Sequence, residues 1–171
     1  MVWILLAVAG WGAAATAVSV AVHEHRRAAE FAALGGFTAV SGPGVAVTLN
    51  DSTRAIPAST NPSISLVQDS DLTFLITMMW YGGARAIAIN GERVTTLTTI
   101  TSSGPTLLID GHRLVGPFEV VALGDPRVLR GVLETRGGFA DRMRQSGLGV
   151  RISARSAMTV PAGRDVPPPS Y

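Results

Sequence analysis

The chain has no cysteine and no lysine. Without cysteine there is no disulfide framework, no thiolate metal site and no cysteine nucleophile. That absence suits a reducing cytoplasm and many bacterial envelope proteins alike, so it selects no compartment. Without lysine, all 14 basic residues are Arg. Alongside abundant Ala, Gly, Val and Pro, this reads as a GC-rich coding bias. Aromatic residues make up only 6% of the 171 residues. They do not interleave with the basic positions as a nucleic-acid surface requires, so no nucleic-acid partner is expected. Phosphate and acyl-transfer motifs are missing as well. Gly42-Pro43-Gly44 is not followed by Gly-Lys-Ser/Thr, and no Gly-x-Ser-x-Gly elbow occurs. The histidines are His23, His25 and His112. The first two, two positions apart on a helix, point about 200° apart and cannot share a metal. His112 sits beside a hairpin turn next to Asp110, with no nucleophile placed near it by sequence. No catalytic residue, cofactor or metal site is assigned, and the chain is not expected to be an enzyme.

Charge is also missing from the whole of Met1–Val22. A bilayer core takes about 20 helical residues at about 1.5 Å each, so this run is long enough to span it. A core helix would show a polar face, and this one has none. A basic n-region, usual for a signal peptide, is absent, although Ala17-Val18-Ser19 or Ser19-Val20-Ala21 would serve as a cleavage site. The favoured reading is a retained transmembrane anchor over residues 1–22, with a cleaved signal as the alternative. The charge that is present is lopsided. Residues 1–125 carry six Arg against nine acids, and residues 126–171 carry eight against three. An Arg-rich C-terminal third of this kind suits a surface that meets anionic partners, or simply the solvated faces of a helix and an edge strand.

Residues 23–36 continue as a short helical stalk, stopped by Gly35-Gly36. It is too short for a coiled coil. Residues 37–162 read as one α+β domain, and 163–171 as a disordered Pro-rich tail. Ser41-Gly42-Pro43-Gly44 predicts a turn, and the alternation of Val45, Val47 and Leu49 predicts a strand. Residues 50–64 form a Pro-broken polar loop. Asp69-Ser70-Asp71 opens a helix whose stripe is Leu72, Leu75, Ile76, Met79 and Trp80, ended by Gly82-Gly83. Ala86–Ile89 is a strand, Asn90-Gly91 a tight turn, and Glu92–Val94 the return. Thr95–Thr101 is β-branched and predicts a polar strand. Residues 106–109 and 112–115 flank Asp110-Gly111 as a hairpin, and 118–123 is a further strand. Asp125-Pro126 caps a second helix with Val128, Leu129, Val132 and Leu133 inward, interrupted at Gly137-Gly138 and resumed by Phe139 and Met143. Gly149–Ala154, extended by Met158–Val160, is the last strand. The order predicts a ferredoxin-like βαββαβ sandwich with an extra hairpin, both helices on one face and the other face open to water or a partner.

Several of these stretches occur together in a recognisable order. They are Ser41-Gly42-Pro43-Gly44-Val45 with Val47–Ser52; Asp69-Ser70-Asp71-Leu72 with Trp80; and Gly83-Ala84 through Ile89-Asn90-Gly91-Glu92-Arg93. They continue with Gly104-Pro105-Thr106 and Asp110-Gly111, Gly124-Asp125-Pro126, and Thr159-Val160-Pro161-Ala162. The set resembles the YlxW-like family of uncharacterised bacterial proteins over residues 36–162. The resemblance implies a membrane anchor, a helical stalk and one α/β domain, and some members are labelled division initiation proteins. It carries over no catalytic residue. The stalk here is far shorter than the family's coiled coil.

These readings predict a membrane-anchored, non-catalytic envelope protein that serves as a protein-interaction module in cell division or wall assembly. The alternative is an enzyme or sensor domain that binds an anionic envelope ligand through the Arg-rich C-terminal third. Expected partners are the lipid bilayer, through the N-terminal helix, and an envelope or division protein; weak homo-oligomerisation stays open. The candidate interaction surface is Asn50 and Asp51 after the first strand with Asn90 and Arg93 at the tight turn, residue types that equally serve turns. Arg26 and Arg27 after the anchor argue for a cytoplasmic domain. The resemblance implies the outside, and an extracytoplasmic domain on a single-pass anchor is the expectation adopted.

Overall fold

The computed structural model describes residue 32, residues 35–54 and residues 65–164. The expected anchor over 1–22, most of the stalk, residues 55–64 of the polar loop and nearly all of the tail lie outside the described residues. No helix among the described residues is long and apolar enough to cross a membrane.

The domain is α+β with antiparallel sheets. In chain order its elements are β1 (Val40–Asn50), α1 (Asp69–Tyr81), β2 (Ala86–Ile89), β3 (Glu92–Val94), β4 (Ile100–Ser103), β5 (Thr106–Ile109) and β6 (His112–Leu114). They continue with β7 (Phe118–Leu123), α2 (Pro126–Glu134), α3 (Phe139–Gln145) and β8 (Gly149–Val160). The main sheet runs β3-β2-β7-β1-β8, and β4-β5-β6 forms a second, three-stranded sheet. The paired strands of the main sheet are all antiparallel.

The period-two pattern decides which face meets the helices. Val45, Val47 and Leu49 of β1, Ile87 and Ile89 of β2, and Phe118, Val120 and Ala122 of β7 are all buried on one side. The helices lay Leu72, Leu75, Ile76 and Met79, then Leu129 and Leu133, then Phe139 and Met143 against them. Each fully buried Leu or Phe is worth about 1.5–3 kcal/mol in removal from water. Leu107, Ile109 and Leu114 of the small sheet join the same core. The small sheet meets the start of α1, where the Asp69 amide donates to Ser102 Oγ at 3.4 Å.

The ends of the helices follow local chemistry. Asp125 Oδ1 accepts from the amides of Arg127 and Val128 at 2.8 and 3.4 Å, with Pro126 in the first turn. At α1 the cap is Gln68, one residue before the acidic triplet that predicts it. The Gln68 amide donates to Asp71 Oδ2 at 3.0 Å, closing a capping box.

Trp80 and Val128, expected in the buried stripes, are 39% and 49% exposed because each lies at the margin of its helix's apolar face. Three larger features also depart from the predicted pattern. Thr95–Thr99 is a turn, and the strand begins only at Ile100. The Thr hydroxyls compete for the backbone: the Thr95 amide donates to Thr98 Oγ1 at 3.0 Å and the Leu97 amide to Thr95 Oγ1 at 3.2 Å. Ser41-Gly42-Pro43-Gly44 is part of β1 and not a turn before it. There the register against β8 slips, Gly42 facing Met158 and Gly44 facing Arg155, so β8 carries an extra residue. Gly44 is required at that point, because a Cβ would drive into the Ala122 carbonyl oxygen.

The third departure concerns the second face of the main sheet. It is lined by small side chains, Ala46, Ala86 and Ala88, beside Val121 and Leu123. The outer ends of β1 and β8 close over part of it, where Val40, Met158 and fully buried Val160 form a second apolar cluster. The rest of the face stays open along β8.

Candidate functional site

Asn50, Asp51 and Asn90 sit at one end of the main sheet, and Arg93 lies two rows in from Asn90. Leu49 faces Phe118, and Thr48 faces Glu119, whose carbonyl accepts from the Asn90 amide at 2.8 Å. Asn50 closes β1 opposite Gly149 and is exposed. Asp51 Oδ1 accepts from the Val67 amide at 2.8 Å, tying the chain entering α1 to the end of β1. Asn90 occupies the left-handed region at φ 48°, which Asn tolerates better than most residues. Its side chain spans two backbone groups, Nδ2 donating to the Val115 carbonyl at 2.9 Å and Oδ1 accepting from the Glu119 amide at 2.7 Å.

Arg93 faces the other way. It pairs with Ala88 on the second face and is 5% exposed. Nη1 donates to the Pro161 carbonyl at 3.0 Å and the Thr38 carbonyl at 3.4 Å. The two crossing chain ends are thus pinned by one guanidinium, aided by the Gly163 amide donating to the Gly36 carbonyl at 2.8 Å. Burial lowers the Arg93 pKa from its ordinary value by desolvation, a cost that the carbonyl dipoles offset.

Beside Arg93 lies a cleft of about 230 Å³. Ile109 is at its floor, Thr95 and Thr98 form one wall, and Asp110, His112 and Arg164 reach its rim. Its charged groups are partnered. Asp110 Oδ1 accepts from the Thr99 amide at 2.7 Å and from Thr99 Oγ1 at 3.2 Å. Arg164 pairs with Glu92 at 2.8 Å. Asp110 and His112 both line the cleft, but no ion pair joins them among the described residues, and the carboxylate is committed to the threonine turn. Sequence reasoning missed Arg164, because only the crossing of the chain ends brings it here, and Thr95, because that residue reads as part of a strand and not as a turn. Among the described residues there is no group of three or more potential metal ligands.

The eight Arg of the C-terminal third do not gather on one patch. Arg130 pairs with Glu134 at 2.8 Å and Arg144 with Asp141 at 3.7 Å along their helices. Arg142 lies over the Phe74 ring at 4.7 Å, bridging α3 to α1. Arg151 and Arg155 remain on β8, exposed, on the second face beside Thr48 and Gly44. Neither side chain makes a hydrogen bond or ion pair among the described residues. β8 is 12 residues long and pairs with β1 alone among the described strands, so its outer side is a free sheet edge. The opposite edge, β3, is only 3 residues long.

Comparison with known proteins bears out the resemblance carried by the motifs. Residues 27–171 match a family model described as "Bacterial protein of unknown function (DUF881)". The chain is similar to UPF0749 protein YlxW of Bacillus subtilis, 37% identical over 108 residues that cover 63% of this chain and 46% of that protein. It is also similar to UPF0749 protein Rv1823 of Mycobacterium tuberculosis, 30% identical over 138 residues that cover 74% of this chain and 45% of that protein. The chain thus spans about half the length of these curated relatives. A crystal structure of an uncharacterized conserved protein from Mycobacterium tuberculosis superposes with a TM-score of 0.70 at 25% identity, covering 85% of this chain and 96% of that one.

Proposed function

The chain belongs to the DUF881 family of bacterial proteins, and from that premise we propose that it is a membrane-tethered, non-catalytic protein-interaction module of the cell envelope, acting in cell division or wall assembly. The tether is the uncharged run Met1–Val22, and the folded domain lies outside the membrane on the extracytoplasmic side. The observation that carries the interaction reading is β8, a 12-residue strand on a sheet edge with no neighbour among the described residues on its outer side. A free edge of that length is a template for another strand, and proteins normally blunt such edges. Asp51, Asn90 and Arg93 belong to this reading as the braces that hold the sheet ends in shape, while Asn50 stands exposed at the end of β1.

The fold reads as ferredoxin-like with insertions. With β3 to β6 set aside, the order is strand, helix, strand, strand, helix, strand, and β2-β7-β1-β8 is the matching sheet order. The alternative, an anionic-ligand enzyme or sensor built on the Arg-rich third, has less support. Arg130, Arg144 and Arg164 are paired with carboxylates, and Arg142 lies on an aromatic ring.

Two measurements in living cells test the proposal. Reporters active only outside or only inside the membrane, fused after Tyr171, read the topology. A photo-crosslinking residue at exposed Ala154 on the β8 edge, against one at Thr73 on the exposed side of α1, reads the interface. Outside activity with a discrete, saturable adduct from Ala154 alone supports the reading. Absence of any adduct at Ala154 refutes the interaction module, and inside activity refutes the envelope location.

A further inference from the structure

We propose that the outer edge of β8 receives an extended acidic segment of a partner protein as an additional strand. The inference rests on the interaction-module reading and gives its partner a chemistry. The part of β8 that can template a strand is defined by its register. Gly149–Arg155 pairs without interruption against Asn50–Gly44, and the slip before Met158 bends the strand beyond it. An added strand therefore lies along Gly149–Arg155. On the helix side of the sheet this stretch shows Val150 and Ile152, half-buried and packed against the main core, and exposed Ala154. On the second face it shows Arg151, Ser153 and Arg155.

Side chains directly opposite across a strand pair share a face, and unlike charges there attract while like charges repel. The matching partner carries apolar residues opposite Ile152 and Ala154, a small polar residue opposite Ser153, and acids opposite Arg151 and Arg155. That pattern, Glu-apolar-Thr-apolar-Glu, reads the same in both directions, so it suits parallel or antiparallel addition. Within the described strands the nearest acid on this face is Glu119, separated from Arg151 by the whole of β1 at Thr48. It leaves both guanidinium groups available to a new neighbour.

A second copy of this chain is a poor occupant. Antiparallel self-pairing centred on Ser153 sets Arg151 directly opposite Arg155 of the other copy. Centring on Ile152 makes the contacts diagonal but still gathers four Arg on one face of a two-strand ribbon. The edge arginines thus act against self-association, as charges on native edge strands do, while leaving the edge usable by an acidic strand.

The test uses the full chain in mild detergent and the peptide acetyl-Thr-Val-Glu-Val-Thr-Val-Glu-Val-Thr-amide. The expected result is saturable binding that protects amides within residues 149–155 from hydrogen exchange and weakens as salt rises. Arg151→Glu with Arg155→Glu should weaken binding about tenfold or more and should instead bind the peptide with Arg in place of Glu. Both side chains are exposed, so the variant should keep the parent's unfolding midpoint. Three results overturn the proposal. The first is no binding, the second is equal binding of an acidic peptide interrupted by Pro, and the third is protection of these amides by self-association without peptide. A crosslinked adduct at Ala154 in cells together with no peptide binding would retain the interaction module and reject the acidic strand. Loss of both would reject both.

Discussion

Asn90→Ala isolates what one turn residue does for this sheet. Asn90 closes the β2–β3 turn at φ 48° and braces two other segments with its amide. Alanine removes both side-chain hydrogen bonds. At an exposed site each contributes about 0.5–1 kcal/mol. Alanine also bears the left-handed backbone less well, a further cost of about 1 kcal/mol. The sum is about 2–3 kcal/mol. For a domain of this size that lowers the unfolding midpoint by about 6–12 °C. Asn90→Gly loses the same hydrogen bonds but adopts the backbone freely, so it should cost only about 1–2 kcal/mol. The assay is urea unfolding of the full chain in detergent, followed by circular dichroism, for the parent and both variants. Hydrogen exchange locates the damage, with the Glu119 amide losing protection first. If both variants lie within about 0.5 kcal/mol of the parent, the brace has no energetic weight and the argument fails. If the two are equal to each other, the backbone share is wrong.

Other substitutions probe other joints. Arg93→Met retains most of the stem volume but leaves the Thr38 and Pro161 carbonyls without their donor; it should cost about 2–3 kcal/mol and speed hydrogen exchange at Val40 and Val160 before the rest of the sheet. Gly44→Ala forces a Cβ into the Ala122 carbonyl, so a loss of about 3 kcal/mol or more is expected, read as poor yield of folded protein and a collapsed unfolding midpoint. Phe139→Ala empties a fully buried site between α3 and the sheet and should cost about 3–5 kcal/mol by chemical denaturation. Arg142→Ala, by contrast, removes only an exposed stack on Phe74 and should cost no more than about 1 kcal/mol in the same assay.

Much of the secondary structure was legible because its signals are local. The Asp125-Pro126 cap, the Asn90-Gly91 and Asp110-Gly111 turns and the stripe of α1 each work within a few residues. Failures came where two local rules compete. Thr95–Thr101 has the composition of a strand, yet its hydroxyls bind the nearby backbone and turn it. Gly42-Pro43-Gly44 has the composition of a turn, yet Pro43 is tolerated inside β1 because a register slip absorbs it. The α+β class followed from element order. The separation of β4-β5-β6 into its own sheet did not, since a hairpin's sequence names its turn and not its lateral neighbour.

By itself the sequence determined the family, the uncharged N-terminal run, the lack of thiol chemistry and most of the core, though not that Trp80 and Val128 fall outside it, all properties of composition, order and short-range period. Tertiary structure alone decided what the charged and polar residues do. It placed Arg93 under the crossing chain ends, turned Asn90 into a brace, spent four of the eight C-terminal arginines on carboxylates and a ring, and left Arg151 and Arg155 on an edge strand. Apart from the helical pairs Arg130–Glu134 and Arg144–Asp141, those outcomes depend on which distant segments become neighbours. A guanidinium three residues from a turn carries no mark in the sequence of whether a carbonyl, a carboxylate or open water will face it.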